Sequence, residues 1–142
     1  MKTLVSDLST ICERYRIGAL YLFGSRAEEM RDKLLAQAPV AASPASDADV
    51  GVLPEKRIHL SHQDRVRLMA DLEDLLDVGR VDLVVLPETS AFLAVEVISG
   101  EIVYDRNPDQ TARYELYVLR RAGDLLPFER ERVRMILREG AA

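Results

Sequence analysis

Cysteine is nearly absent: Cys12 is the single one in 142 residues. One thiol cannot close an internal disulfide, and nothing in the thiol content points to an oxidising compartment. Apolar runs are short, and none approaches the ~20 residues a membrane-spanning helix needs. The first sixteen residues interrupt their apolar pattern with Asp7 and Glu13, so they read as an amphipathic helix and not as a signal peptide. The expected setting is therefore cytoplasmic, with no membrane partner. Positive charge is also in short supply: 19 Lys and Arg stand against 24 Asp and Glu, a net charge of −5. Duplex binding needs clustered cations to neutralise phosphates. No aromatic-rich or basic groove suggests single-stranded RNA either. A nucleic-acid partner is not expected. No internal repeat is visible.

What is present fits one compact domain, long enough to bury roughly two-thirds of its unfolded surface. The hydrophobic share is 48% and the charged share 30%, ordinary for a globular chain. The charge is uneven. Residues 106–142 carry eight Arg against six acidic groups, whereas residues 1–105 carry 11 basic and 18 acidic groups. The basic tail reads as a solvated helix face or as a surface for an acidic partner.

Leu4, Val5, Leu8, Ile11 and Cys12 have helical spacing, with Gly18 as the expected stop. The run 19–23 (ALYLF) reads as a buried strand that ends at Gly24-Ser25-Arg26. Residues 26–37 have good helix formers. A Pro- and Ala-rich loop through residue 46 follows. In residues 47–53 (DADVGVL), Ala48, Val50 and Val52 alternate with Asp47 and Asp49, so this is a strand, ended by Pro54. A helix over 61–78 starts at a capping box, Ser61 with Asp64, and is expected to close at Gly79. A third strand covers 81–86, a short helix begun by Ser90 covers 90–99, and Glu101–Tyr104 is an edge-like fourth strand. Residues 108–139 read as two helical pieces broken near Gly123 and Pro127. The expected class is α/β (α+β): a small mixed sheet of about four strands flanked by helices, with a helical C-terminal tail.

Three aspartates lie in or beside apolar strands: Asp47, Asp49 and Asp82. Aspartate is depleted in strands, and a buried lone carboxylate costs several kcal/mol. Asp47 and Asp49 project from one strand face. Two such charges repel unless a cation lies between them. Mg²⁺ suits a few carboxylates and completes its shell with water and phosphate oxygens. Asp82 on a neighbouring strand completes a set able to hold two ions across an in-line displacement. Gly24-Ser25 stands where a strand gives way to a helix, a place suited to phosphate. Ser25 adds a hydroxyl and Arg26 a guanidinium fork. The plain alternative for Ser25 is a helix N-cap. His59 and His62 read as surface histidines, Tyr114 and Tyr117 as packing or interface residues, and Cys12 as core.

The combination Gly24-Ser25-Arg26-Ala27, then Ser46-Asp47-Ala48-Asp49 followed by Val50-Gly51-Val52, then Val81-Asp82-Leu83, resembles the polymerase-beta-like nucleotidyltransferase superfamily. It is most similar to its minimal nucleotidyltransferases, the MNT antitoxins. The resemblance covers about residues 15–106. It implies a catalytic domain at 1–106, with 27–45 as an insertion or loop, and 107–142 as a helical extension of the same domain. It also implies that Asp47 and Asp49 hold two Mg²⁺ ions, that Asp82 completes one site and helps deprotonate an acceptor, and that Gly24, Ser25 and Arg26 bind the triphosphate of ATP. The implied partner is a HEPN-type toxin that receives AMP on a tyrosine. An aminoglycoside-type adenylyltransferase and an idle antitoxin acting by contact alone are the alternatives. One departure stands out: 21 residues separate Ser25 from Asp47, longer than the family's usual spacer. Such length adds little closure cost, so the segment is expected to serve as a lid or to weaken triphosphate binding.

Overall fold

The computed structural model describes residues 4–36 and 47–140. In chain order its elements are α1 (Leu4–Arg14), β1 (Ile17–Phe23), α2 (Ala27–Ala36), β2 (Asp47–Pro54), α3 (His62–Leu76), β3 (Arg80–Val85), a single 3-10 turn (Leu86–Glu88), α4 (Ala91–Ile98), β4 (Glu101–Asp105) and α5 (Pro108–Gly140). The sheet order is β3-β2-β1-β4. β1 pairs antiparallel with β2 and β4, while β2 and β3 are parallel and joined through α3. This is the expected mixed sheet with an edge-placed β4. The Pro- and Ala-rich loop lies outside the described residues. Among the described residues no helix is long and apolar enough to cross a membrane.

Strand alternation gives the sheet two unlike faces. On one face Leu20, Leu22, Ala48, Val50, Val52 and Val81 are buried under α1, α2 and α3. Cys12 belongs to this core, and burial pushes its thiol up to about 12, as expected of an inert core residue. A buried cation spans the helices: Lys33 of α2 donates to the Leu76 carbonyl at the end of α3, where the helix dipole favours positive charge. The other face, with Ala19 and Tyr21 of β1, is covered by Ala94 and Val97 of α4 and Val118 of α5. Tyr21 donates to Glu115 of α5 at 2.6 Å, and burial raises the phenol further above its ordinary value.

The caps follow the sequence where side chains set them. Ser61 accepts from the Asp64 amide at 3.0 Å, and Ser90 from the Leu93 amide at 3.2 Å. Asn107 accepts from the Gln110 amide, with Pro108 as the first residue of α5. The helix stops differ from expectation. The left-handed residues are Arg16 after α1 and Asp77 after α3, not Gly18 or Gly79. Gly18 instead lies within β1.

The largest correction concerns the tail, where α5 is one helix of 33 residues through Gly123 and Pro127. An interior proline deprives the carbonyl four residues back of its donor and presses against it, at a cost of about 3 kcal/mol. Here that residue is Gly123, exposed and with open space where a side chain would be. Water can serve the carbonyl and no Cβ adds to the crowding, so the helix continues.

Gly51 sets how closely α4 lies on the sheet, since a Cβ built there would overlap Val97 Cγ1. Gly51→Ala should therefore destabilise the fold by about 1–3 kcal/mol through overpacking. Val97→Ala in the same chain should recover part of that loss. Urea unfolding of the four proteins of the cycle measures it, and strict additivity would disprove the contact.

Candidate active site

The three aspartates gather at one end of the sheet, on the face that α4 and α5 cover further along. Asp49 stands opposite Phe23, the last residue of β1, and opposite Asp82 in the parallel ladder with β3. Asp47, two residues earlier and exposed, stands opposite Arg80. Because registered partners share a face, the Asp47, Asp49 and Asp82 side chains lie on one patch.

The Gly-Ser turn meets this patch directly. Gly24 follows β1 with φ +80°, and a Cβ there would overlap Asp49 Oδ2. Glycine is needed twice over, for the backbone angle and for the space the carboxylate fills. Ser25 is exposed, and its hydroxyl makes no hydrogen bond among the described residues. It is not a helix cap, and its hydroxyl is available to a ligand. Arg26 behaves differently. Its Nε and Nη2 donate to Glu29 at 3.2 and 3.3 Å, and its side chain is only 18% exposed. Its Nη1 is buried with no partner among the described residues. Among the described residues Arg26 forms no ion pair with Asp47, Asp49 or Asp82; its carboxylate partner is Glu29. Ser46 and the rest of the spacer beyond Ala36 lie outside the described residues.

Beside the turn, a cleft of about 320 Å³ is lined by Ser25, Glu28, Glu96, Ser99 and Glu101. Arg31 of α2 holds Glu101 at 2.9 Å, which leaves Glu28 and Glu96 as its acidic wall.

The electrostatics match the crowding. Partial burial raises the Asp49 pKa, and the charges of Asp82 and then Asp47 raise it further. Among the described residues, no three His, Cys, Asp or Glu side chains converge closely enough to grip one ion. Arg80 forms an ion pair with Asp82 at 3.0 Å. Arg80 is a site residue that the motif reading missed. Its signal was its position two residues before Asp82 on a strand, hence on the same face. The donor set still suits a hard divalent cation: oxygen ligands only, on adjacent strand ends, at an open edge with room for water and phosphate oxygens. Such an ion would relieve the repulsion that raises the Asp49 pKa. His59 and His62 lie elsewhere, at the start of α3, and His59 is 3.8 Å from Glu88.

Comparison with known proteins points the same way. The sequence profile of the family described as "Polymerase beta, Nucleotidyltransferase" matches residues 6–109. No curated protein matches the chain. Among solved structures, one of a toxin–antitoxin with AMP-PNP is similar at 22% identity and TM-score 0.64, covering 97% of this chain and 98% of that one. A toxin–antitoxin MntA-HepT structure is similar at 18% identity and TM-score 0.62, covering 98% and 97%. The same figures hold for a tri-AMPylated Shewanella oneidensis HEPN toxin in complex with MNT antitoxin. At these identities the likeness is one of fold.

Two outcomes follow from the patch. Gly24→Ala forces a left-handed alanine against Asp49, and should lower unfolding stability by about 1–2 kcal/mol. An unchanged urea midpoint would sink the close-approach argument. Asp49 has a folded-state pKa above its unfolded value, so its ionisation favours unfolding. That penalty appears as pH rises through the unfolded pKa and is full above the folded one. Asp49→Asn should therefore be the more stable protein at neutral pH, with the gap closing as pH falls below the ordinary carboxylate range. Melting curves across pH measure this, and a constant gap would contradict it.

Proposed function

The chain belongs to the polymerase beta nucleotidyltransferase family, and from that premise we propose that it is a minimal nucleotidyltransferase antitoxin. It moves AMP from ATP onto a tyrosine hydroxyl of a HEPN-type toxin and releases pyrophosphate. The observation that carries this reading is the seating of Asp49 against Gly24 and opposite Asp82. It joins the Gly-Ser turn and the carboxylates into one edge.

In this reading the Gly24-Ser25 turn and the Ser25 hydroxyl hold the triphosphate tail. Asp47 and Asp49 hold two Mg²⁺ ions, and Asp82 completes one site and takes part in removing the acceptor proton. Bound there, Mg²⁺ neutralises phosphate charge and steadies the attacking and leaving oxygens. The acceptor oxygen forms a bond to the α-phosphorus, the bond from that phosphorus to pyrophosphate breaks, and the hydroxyl proton passes to the carboxylate edge. Arg26 is committed to Glu29, so the reading rests on Gly24 and Ser25 for phosphate binding. Arg80 engages Oδ1 of Asp82, so Oδ2 is the oxygen that would face an ion. The toxin partner is supported by fold likeness over nearly the whole chain, α5 included, to toxin–antitoxin structures that carry AMP-PNP or an AMPylated toxin.

The acidic wall of the cleft beside Ser25 favours a second reading, in which the acceptor is a small cationic molecule. Against it, α5 is a lone helix rather than a substrate domain. Incubation with Mg²⁺, ATP labelled at the α-phosphate and the product of the neighbouring reading frame separates the two. Label on that protein is the expected result, and label on an aminoglycoside instead supports the second. Tight binding with no label under any metal marks an idle antitoxin. Asp47→Ala with Asp49→Ala should cut transfer at least ~100-fold while the fold persists. Transfer by that double variant would disprove the site.

A further inference from the structure

Residues 1–105 carry 11 basic against 18 acidic groups, yet three of those arginines share one cavity. Arg14, Arg16 and Arg57 line a space of about 270 Å³, and Asp64 is the one carboxylate among the residues that line it. The cavity lies at the end of the sheet where Ile17 of β1 pairs with Pro54 of β2. Asp49 stands at the other end, about 20 Å away along the strands. The carboxylate edge and this cavity are therefore separate places of opposite charge.

Two of the three arginines occupy backbone positions that suit glycine. Arg16 has φ +56° and Arg57 φ +69°, a region uncommon for side chains other than Asn and Asp. The two turns are tied together: the Glu55 amide donates to the Arg16 carbonyl at 2.9 Å, and the Ile58 amide donates to the Glu55 carbonyl at 3.0 Å around Arg57. Glycine would make both turns without strain. The side chains give the fold little in return. Arg16 is 4.0 Å from Glu55 in an exposed pair, a contact of small worth, and Glu55 is held more closely by Arg106 at 2.7 Å. The Arg57 side chain makes no hydrogen bond or ion pair among the described residues. Strained backbone that the fold does not need points to use of the side chain.

Arg14 supplies a braced third cation. Its Nη1 donates to Asp71 at 2.9 Å, and Asp71 also accepts from the Tyr15 hydroxyl at 2.6 Å. Nε and Nη2 of Arg14 are left without a partner among the described residues. Guanidinium forks of this kind match the oxygens of a tetrahedral anion. The cations sit in a concavity and not along a stripe, and Glu55, Asp64 and Asp71 border them. That setting admits a compact anion and opposes an extended polyanion.

We propose that this cavity binds a phosphate dianion on Arg14, Arg16 and Arg57, either as the free ion or as the head of a small phosphomonoester. The proposal rests on no part of the function proposed above.

The test uses the full chain, labelled with ¹⁵N and free of Mg²⁺, titrated with inorganic phosphate and with phenyl phosphate. Saturable NMR shifts should gather at residues 14–16 and 57–60 and at the Nε groups of the three arginines. The tighter of the two probes should bind with a Kd below ~1 mM. Tighter binding of phenyl phosphate assigns the cavity to esters, and equal binding assigns it to the free ion. Arg16→Gly with Arg57→Gly should weaken binding at least ~10-fold through lost charge-assisted hydrogen bonds. The urea midpoint of that variant should hold or rise, because glycine suits both turns. Shifts that fail to saturate, that scatter over the surface, that centre on Gly24 and Ser25, or that survive the double substitution overturn the proposal. A lowered midpoint does so too, since the arginines would then serve the fold. Equal binding of succinate would also overturn it, as would far tighter binding of poly-glutamate or an oligonucleotide, which would make the occupant a macromolecule.

Discussion

The contact between the Asp49 carboxylate and Gly24 fixes the rest of the site. β1 must end where β2 begins, so that the turn leaving one strand faces the second aspartate of the other. The antiparallel register, with Phe23 opposite Asp49, achieves this. The parallel register with β3 then delivers Asp82 beside Asp49. A shift of one residue in either ladder would send the carboxylates into the core under α1, α2 and α3. The apolar residues Ala48, Val50 and Val52 therefore protect the register that groups the aspartates. Core packing and site assembly are one constraint read from opposite faces of a strand.

The same face is used in two ways along its length. Where β2 carries Gly51, α4 closes down until Val97 fills the space a side chain would need. Towards the start of β2 the cover stops and the aspartates meet solvent. Burial there is partial, and together with the neighbouring carboxylates it raises the Asp49 pKa. A fully covered edge would protonate its carboxylates. A fully open one would feel little repulsion and have little reason to favour a divalent ion. The intermediate setting disfavours the Asp49 charge when no cation is near, which suits recruitment of one. Arg80 supplies part of that need from within the chain.

Much of this was legible in the sequence, for identifiable reasons. Period-two alternation exposed the aspartates of β2, and the Ser61 and Ser90 caps were legible because a side-chain oxygen makes them. The two helix stops were misread because glycine is only the commonest left-handed residue. Arg16 and Asp77 take that conformation where the chain reverses, and propensity cannot see a tertiary reversal. The expected break at Pro127 failed because the residue four places back is Gly123, which accommodates the ring. Arg80 carries no motif signal; only its strand face, two residues before Asp82, places it beside the carboxylates. Arg26 was read from its motif, whereas its hydrogen bonds go to Glu29, a local pairing within the first turn of α2 that a motif does not encode.

Charge distribution links the site to the tail. The acidic body and the mildly basic segment after residue 105 are separate fields to any visitor, because screening at physiological salt acts over about 8 Å and a helix of this length extends several times further. A partner whose surface is acidic is repelled by the carboxylate edge and attracted to the arginines of α5. Its approach is thereby oriented before contact: it meets the helix first, and only a neutral group such as a hydroxyl enters the edge at little electrostatic cost. A free acidic protein of the same size gains nothing at the edge itself. In the function proposed above, separate fields would let an acidic partner be drawn to α5 while its neutral hydroxyl enters the acidic edge.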